Sequence, residues 1–197
     1  MYLIRSIFVL TSSVMTKAEA RDFYLKKRQA LSDAQRDEFN RLIYERVLES
    51  DYFKAAETVH IFLSLQRTKE PDTWKFLEQK KTFIIPKINA SGSLDNFYYE
   101  GFHQLKQSRF GILEPTHGIP ANVNKIDFVF VPLAAYDVEG NRVGYGKGYY
   151  DMFLKDCRKT CVKAGLSFFE PAETFSDVEA HDVPIDLCFT PTRVYKF

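Results

Sequence analysis

Apolar runs of strand length alternate with segments of helical spacing along this 197-residue chain. The clearest of these runs are VHIFLSL (59–65), TFIIPKI (82–88) and IDFVFVPL (126–133), and the last is the most apolar. Strands that alternate with helices need crossover connections, which favour parallel pairing and a sheet covered on both faces. The pattern therefore predicts an α/β fold, a three-layer α/β/α sandwich with a largely parallel central sheet.

The helices between these runs are marked by their N-terminal signals. Thr16 is a suitable N-cap for TKAEARDFYLKKRQAL, and Ser32 with Gln35 fits a capping box at the start of a second helix. Further helices are expected in EPDTWKFLEQKK (70–81) and GYYDMFLKDCRKT (148–160), which would place Cys157 and Cys161 on one helical face.

The remaining segments are expected to be irregular or to form short strands. QSRFGILEPTHGIP (107–120) is interrupted by Gly and Pro, which is typical of a loop. The C-terminal segment DLCFTPTRVYKF (186–197) is expected to form two short strands about a Thr-Pro turn.

The chain is expected to contain one domain after a short leader. Residues 1–15 combine a basic residue with only a brief apolar stretch, so we expect a leader with no structural role. No segment reaches the ~20 apolar residues that are needed to cross a bilayer. Residues 16–197 show no repeat or linker and are expected to form a single catalytic α/β domain.

Composition argues against several classes of partner. A formal net charge of +1 gives no electrostatic reason to expect nucleic acid or a membrane surface. Three cysteines (Cys157, Cys161 and Cys188) are too few for a disulfide framework, which indicates a reducing compartment, the cytoplasm. We expect a monomer whose partners are small molecules.

The motif that carries chemistry is GNRVGYGKGYYD (140–151), which follows the most apolar strand. Three glycines alternate around Lys147, and glycine lets backbone N–H groups approach anionic oxygens. The run fits neither the Walker A loop nor the Rossmann fingerprint. From the residues alone, two interpretations of this run stay open: a phosphate site or only a flexible turn. Likewise Asp151 either holds Mg²⁺ or caps the following helix.

This stretch resembles the most distinctive motif of the 5-formyltetrahydrofolate cyclo-ligase family. That motif is a strand ending in Pro, an Asp and a Gly, then Arg-x-Gly-x-Gly-x-Gly-Tyr-Tyr-Asp, and residues 131–151 (VPLAAYDVEGNRVGYGKGYYD) fill every anchor position. Weaker matches follow the family order: Lys17 and Arg21 in TKAEAR, Glu70 in LQRTKEPDT, then FIIP and FGILEP. The resemblance extends over about residues 16–195.

The resemblance implies an enzyme that uses ATP and Mg²⁺. Members of this family convert 5-formyltetrahydrofolate to 5,10-methenyltetrahydrofolate and release ADP and phosphate. The formyl oxygen is phosphorylated, N-10 attacks the activated carbon, and phosphate leaves. Phosphoryl transfer depends on positioning and charge neutralisation, so no Ser-His-Asp or Cys-His arrangement is required.

The resemblance also implies roles for individual residues. Lys147 and Arg142 would be catalytic, with Lys147 supplying charge at the transferring phosphoryl group. Asp151 and Asp182 would hold the metal. ATP would be bound by Lys17, Arg21, Arg142, Val143, Gly144, Tyr145, Gly146, Lys147, Gly148, Tyr149 and Tyr150. The folate would contact Leu63, Glu70, Phe110 and Tyr149, with the Glu70 carboxylate accepting the pterin N–H groups.

Other interpretations of these residues remain open. A sugar-phosphate isomerase or a CoA-transferase-like α/β enzyme could use the glycine loop for a substrate phosphate without ATP. A non-catalytic folate- or nucleotide-binding protein could retain the same pocket. Lys17 and Arg21 could lie on a solvated basic helix face, and Asp182 could be an ordinary loop aspartate.

Overall fold

The computed structural model describes residues 14–108 and 111–197. Within these ranges the α-helices are α1 (Lys17–Gln29), α2 (Asp33–Glu49), α3 (Asp51–Ala55) and α4 (Tyr149–Asp156). The strands are β1 (Thr58–His60), β2 (Thr82–Ile88), β3 (Leu94–Tyr98), β4 (Leu105–Gln107), β5 (Leu113–Pro115), β6 (Phe128–Val131), β7 (Ala135–Tyr136), β8 (Arg142–Val143), β9 (Val162–Leu166), β10 (Leu187–Phe189) and β11 (Val194–Lys196).

Seven of these strands form the central sheet, in the order β11-β10-β9-β6-β1-β2-β3. The five inner strands pair in parallel, and only the edge strands β11 and β3 are antiparallel to their neighbours. Strands β4 and β5 form one separate antiparallel pair, and β7 and β8 form another. The predicted largely parallel sheet is confirmed.

Strand β6 shows why the sheet needs a layer on each face. Its side chains alternate between two apolar clusters, with Phe128 and Phe130 in one and Val129 and Val131 in the other. On the first face, the Phe53 ring of α3 lies 5.6 and 5.8 Å from the Phe128 and Phe130 rings. On the second face, the apolar side of α4 packs against the valines. Each buried side chain contributes about 1.5–3 kcal/mol, and the three-layer sandwich is confirmed.

The first two helices begin where the sequence predicts. The Thr16 hydroxyl accepts a hydrogen bond from the Glu19 N–H at 3.2 Å, and the Glu19 carboxylate accepts one from the Thr16 N–H at 2.9 Å. Ser32 and Gln35 exchange the same pair of bonds at the start of α2. Both capping boxes satisfy amides that a helix start would otherwise leave unpaired.

The run at 59–65 is a strand only at its start. The Thr73 hydroxyl donates to the Phe62 carbonyl at 2.6 Å and accepts from the Ser64 N–H at 3.0 Å. Ile61 still donates to the Ile84 carbonyl of β2 at 2.9 Å, but the backbone from Phe62 onward bonds the Thr73 side chain and leaves the sheet. That segment, expected to be an α-helix, contains a single short 3₁₀ helix, Trp74–Glu78.

Two further expectations differ from the structure. The segment expected to be a loop at 107–120 contributes to the β4–β5 pair, so it is partly ordered as a hairpin. Helix α4 ends at Asp156 because Cys157 adopts an extended conformation, with φ −73° and ψ 149°. Cys157 and Cys161 therefore do not share a helical face.

The expected boundary at residue 15 stays a prediction. Residues 1–13 lie outside the described part of the chain. Met15 forms an isolated parallel bridge with Phe175, and its carbonyl accepts from the Ser176 N–H at 2.9 Å. Among the described helices, none combines the length and apolar character that a membrane span requires.

A buried aspartate shapes the turn that leads into the glycine loop. Oδ1 of Asp137 accepts from the Glu139 and Asn141 N–H groups at 3.0 and 2.9 Å, and Oδ2 accepts from the Phe175 N–H at 3.2 Å. Gly140 lies inside this turn with a φ of +83°. The turn joins β7 to β8 and thereby determines where the loop begins.

We expect Gly140→Ala to lower the free energy of unfolding by about 3 kcal/mol, from left-handed strain together with overpacking. A Cβ at Gly140 would lie 2.7 Å from the Phe197 ring and 2.9 Å from the Ile185 carbonyl oxygen. Urea denaturation measures the loss. Gly148→Ala is the matched control, because Gly148 has a φ of +69° but nothing within 4 Å of the added Cβ. It should lose only about 1–2 kcal/mol, and equal losses would contradict the packing argument.

Candidate active site

A cavity of about 530 Å³ opens beyond the carboxyl ends of the parallel strands. Phe62 and Leu63 reach it just after β1, and Pro132 reaches it just after β6. In open α/β sheets this edge is where ligands bind, and the volume suits a small molecule. The cavity also has an apolar wall, formed by Leu63, Leu65, Ile88, Leu94, Ile112 and Leu113.

The residues that the sequence singles out converge on this cavity. It is lined by Lys17, Arg21, Leu63, Glu70, Arg142, Val143, Gly144, Tyr145, Gly146, Lys147, Gly148, Tyr149, Tyr150, Asp151 and Asp182. Phe110 lies outside the described residues. The structure thus brings helix α1, the segment after β1 and the glycine loop to one place, while the role of each side chain stays a prediction.

The glycine loop exposes its backbone where it enters helix α4. Gly148 is the N-cap in a left-handed conformation with no side-chain cap, and Gly146 has a φ of +80°. The first turn of a helix has unpaired N–H groups and a positive dipole end, which favour an anion. The Lys147 side chain is exposed between the two glycines, and in the described chain its ammonium forms no hydrogen bond or ion pair.

Lys17 and Arg21 make specific contacts instead of lying on an open helix face. The Arg21 Nε donates to the Gly144 carbonyl at 2.7 Å, so α1 supports the loop directly. The Lys17 ammonium forms an ion pair with Asp182 at 2.7 Å. Both side chains are half-buried and line the cavity, so the solvated-face interpretation is wrong for them.

A buried ion pair connects the two ends of the glycine loop. The Arg142 Nη2 donates to Oδ1 of Asp151 at 2.6 Å, and the Val183 N–H donates to the same oxygen at 3.2 Å. The Arg142 side chain is only 5% exposed. Burial lowers the pKa of Arg142, and the nearby carboxylates of Asp151 and Asp182 oppose that change. Removing either partner of such a pair leaves an uncompensated buried charge.

The carboxylates expected to hold a metal have oxygen atoms to spare. Oδ2 of Asp182 accepts hydrogen bonds from the Lys17 ammonium and the Glu179 N–H. In the described chain, no hydrogen bond reaches Oδ1 of Asp182 or Oδ2 of Asp151. Burial raises the pKa of Asp182, but the hydrogen bonds from Lys17 and the Glu179 amide outweigh it and lower the pKa overall. Glu179, His181 and Asp182 also bring ligand atoms within 4.8 Å of one another. These oxygen-rich donors fit Mg²⁺.

Glu70 is held from two sides. Its Oε2 accepts from the Leu65 N–H at 2.7 Å, and its Oε1 accepts from the Tyr145 hydroxyl. The Tyr145 hydroxyl in turn accepts from the Arg28 Nη2 at 2.7 Å. Burial, with Glu70 as the next cause, raises the pKa of Tyr145, so the hydroxyl stays protonated and donates to Glu70.

Arg28 is the contributor to the site that sequence reasoning missed. It lies seven residues after Arg21, a spacing that places both on one face of α1 with Tyr24 between them. This seven-residue spacing is the sequence feature that could have identified Arg28 as a residue on the same side of α1 as Arg21. Arg28 is 4% exposed and also donates to the Leu133 carbonyl at 3.3 Å.

The hydroxyl of Tyr150 is buried at the cavity without a hydrogen-bond partner in the described part of the chain. Its ring packs edge-on against the rings of His60 and Phe153, each at 5.8 Å. Burial raises the pKa of Tyr150 and lowers the pKa of His60 to about 3, so both groups are neutral. Buried polar atoms are nearly always paired, which makes the Tyr150 hydroxyl available to a ligand in the cavity.

Fold and site together describe an α/β protein in which a glycine loop and an apolar wall line one cavity. A sequence model described as the 5-formyltetrahydrofolate cyclo-ligase family matches residues 13–191. The chain belongs to this family. The resemblance noted in the sequence and the expectation of a ligase are confirmed.

Curated relatives match over most of their length. The 5-formyltetrahydrofolate cyclo-ligase of Mus musculus is 29% identical over 177 residues, which are 82% of this chain and 87% of the relative. The enzyme of the same name from Escherichia coli (strain K12) is 28% identical over 182 residues, which are 87% of this chain and 98% of the relative.

Solved structures agree with the fold. The NMR structure of Aquifex aeolicus 5,10-methenyltetrahydrofolate synthetase has a TM-score of 0.80 and 29% identity, and the match covers 92% of this chain and 93% of that one. A 5,10-methenyltetrahydrofolate synthetase from Mycoplasma pneumoniae has a TM-score of 0.71 at 21% identity, covering 90% and 99%, and it supports the fold alone.

We expect Tyr150→Phe to leave the stability of the ligand-free protein unchanged or slightly higher, because no hydrogen bond between described residues is lost. Thermal unfolding measures this. Tyr44→Phe is the matched control, since the Tyr44 hydroxyl accepts from Gln79 at 2.8 Å and its removal should cost about 1 kcal/mol. A loss in Tyr150→Phe as large as in Tyr44→Phe would show that the hydroxyl already has a partner in the free protein.

Proposed function

We propose that this chain converts 5-formyltetrahydrofolate to 5,10-methenyltetrahydrofolate in an ATP- and Mg²⁺-dependent reaction that releases ADP and phosphate. One observation carries the proposal beyond family membership. The glycine loop with Lys147 and the carboxylate of Glu70 line the same 530 Å³ cavity. An anion-binding loop and a pterin-binding acid can therefore serve two substrates that react with each other.

On the nucleotide side, the loop residues from Arg142 to Tyr150 would bind the ATP phosphates with Lys17 and Arg21. Nothing lies within 4 Å of a Cβ added at Gly148, so the backbone there is open to phosphate oxygens, and the Arg21 guanidinium lies beside Gly146. Lys147 is exposed and would lie at the transferring phosphoryl group, where its charge stabilises the transition state.

The metal would be held by the carboxylates of Asp151 and Asp182, whose spare oxygens support this assignment. Mg²⁺, when bound there, neutralises phosphate charge and orients the nucleotide. Arg142 would position the Asp151 carboxylate through their 2.6 Å ion pair.

On the folate side, the Glu70 carboxylate would accept hydrogen bonds from the paired N–H groups of the pterin. Leu63 and Tyr149 would contact the ring, and Leu63 belongs to the apolar wall. Phe110 remains proposed for the same pocket. The Leu65 N–H orients Glu70 in advance, which lowers the cost of ordering it on binding.

The chemistry needs no nucleophile from the protein. The formyl oxygen attacks the γ-phosphorus, the bond to the β-phosphate oxygen breaks, and ADP leaves. N-10 then attacks the activated formyl carbon and loses its proton, and the phosphate leaves with the former formyl oxygen. The protein's part is to align the two substrates and to supply positive charge from Lys147 and Arg142.

We also propose that the enzyme acts as a monomer in the cytoplasm. Cys157, Cys161 and Cys188 are all free thiols, which suits a reducing compartment. The isomerase, transferase and binding-protein alternatives lose support because the family match extends over residues 13–191.

The proposal is tested by incubating the purified protein with 5-formyltetrahydrofolate, ATP and Mg²⁺. Methenyl product should form, seen by its near-ultraviolet absorbance, with one ADP released for each product molecule. Reactions without ATP or with excess chelator should give none. Absence of product in the complete mixture would overturn the proposal. Product formed without ATP would overturn the proposed ATP dependence.

We expect Lys147→Ala to lower kcat by about 10²–10³-fold, the usual cost of losing an electrostatic contact to the transition state. Folate binding, measured by calorimetry, should be nearly unchanged because Lys147 lies on the loop and not at Glu70. Lys155→Ala is the control, an exposed lysine of helix α4 that does not line the cavity. Collapse of folate binding in Lys147→Ala would contradict the placement.

We expect Glu70→Gln to weaken folate binding more than ATP binding. Loss of a charged hydrogen-bond acceptor should raise the folate KM by roughly 10–100-fold, whereas the ATP KM changes much less. Steady-state kinetics with each substrate varied in turn separates the two. Glu78→Gln, an exposed acid outside the cavity, controls for the change in charge. A larger effect on ATP than on folate would be incompatible with a pterin-binding Glu70.

A further inference from the structure

A chain of hydrogen bonds connects the glycine loop to the residue proposed to bind folate. The Arg28 Nη2 donates to the Tyr145 hydroxyl at 2.7 Å, and that hydroxyl donates to Oε1 of Glu70. We call these three residues the Arg28–Tyr145–Glu70 chain. Tyr145 belongs to the loop, Glu70 to the segment after β1 and Arg28 to α1, so the contact spans 75 residues between Glu70 and Tyr145.

The charge of Arg28 explains why this chain is strong. Arg28 is 4% exposed, and in the described ranges no carboxylate lies within ion-pair distance of its guanidinium. The guanidinium instead bonds the Leu133 carbonyl and the Tyr145 hydroxyl. The hydroxyl therefore lies between a buried cation and the Glu70 carboxylate, and a donor or acceptor that is ionised strengthens each hydrogen bond.

The loop that carries Tyr145 has few other supports. Its residues from Tyr145 to Gly148 are exposed, and Gly148 has nothing within 4 Å of its would-be Cβ. Arg21 donates to the Gly144 carbonyl and its guanidinium also lies beside Gly146, and Tyr145 provides a separate attachment through its hydroxyl. A nucleotide bound at the loop backbone would therefore also fix the position of Tyr145.

Glu70 can accept Tyr145 and a pterin at the same time. A carboxylate offers about four lone-pair positions. The Leu65 N–H uses one on Oε2 and Tyr145 uses one on Oε1, so among the described residues each oxygen keeps one position for a paired N–H donor. Tyr145 therefore orients Glu70 without blocking it.

We propose that Tyr145 is a positioning residue that couples the two substrate sites: nucleotide at the glycine loop holds Tyr145 against Glu70, and Glu70 is thereby oriented for the folate. This inference rests on the proposed function. Each substrate then tightens the binding of the other, because the conformational entropy of ordering the loop is lost only once, when the first ligand binds. Linkage requires the same factor in both directions.

The test measures this coupling by calorimetry without turnover. 5-Formyltetrahydrofolate is titrated into the protein with Mg²⁺, alone and at saturating β,γ-imido-ATP, and the two Kd values are compared. We expect the nucleotide analogue to tighten folate binding at least ~5-fold in the unsubstituted protein, within the range typical of coupled sites. Tyr145→Phe keeps the ring but loses the hydroxyl, and the ratio of the folate Kd values without and with the analogue should fall to about 1.

Tyr52→Phe is the matched control, a partly exposed tyrosine of α3 away from the cavity, and it should keep the full coupling. Arg28→Lys retains the charge but not the guanidinium, and it should also reduce coupling. Unchanged coupling in Tyr145→Phe, no coupling in the unsubstituted protein, or tighter nucleotide-free folate binding in Tyr145→Phe would each overturn the inference. Failure of the unsubstituted protein to bind the folate at all would instead overturn the proposed function.

Discussion

The buried ion pair between Arg142 and Asp151 is the interaction on which the site depends. It joins strand β8 to helix α4 and so fixes both ends of the glycine loop, while Tyr145 to Gly148 between them remain exposed. Neither charge could be buried alone at reasonable cost. The same pair presents the Asp151 carboxylate, with its second oxygen unused by the described chain, to the cavity. The geometry of the loop and the position of the carboxylate proposed to hold the metal thus have one cause.

The sheet supplies the common frame for the other contacts. Parallel strands β1 and β6 end at the same edge, so the segments that follow them, containing Glu70 and the glycine loop, face each other across the cavity. Helix α1 then touches both, through Arg21 at Gly144 of the loop and through Gln29 at the Arg67 carbonyl of the segment after β1. The proposed phosphoryl transfer from a nucleotide to a folate requires two such walls at one cavity.

The sequence was sufficient where structure follows from local patterns. The capping boxes at Thr16 and Ser32, the alternation of β6 and the glycine run are all encoded within a few residues. Other features depend on distant partners. The Thr73 hydroxyl ends the predicted strand early, which no local pattern contains. The spacing of Arg21 and Arg28 places both on one face of α1, but it does not contain the contact of Arg28 with Tyr145. For the same reason the family resemblance implied a metal at Asp151 and Asp182, but it did not imply their ion pairs with Arg142 and Lys17.

The most direct measurement of the proposed chemistry follows the formyl oxygen itself. 5-Formyltetrahydrofolate carrying a heavy-oxygen label in its formyl group is converted with ATP and Mg²⁺, and the products are analysed by mass spectrometry. If the glycine loop delivers the γ-phosphoryl group to that oxygen, the label appears in inorganic phosphate, one atom for each methenyl product. Label released into water, with unlabelled phosphate, would contradict phosphorylation of the formyl oxygen and the shared cavity that it requires.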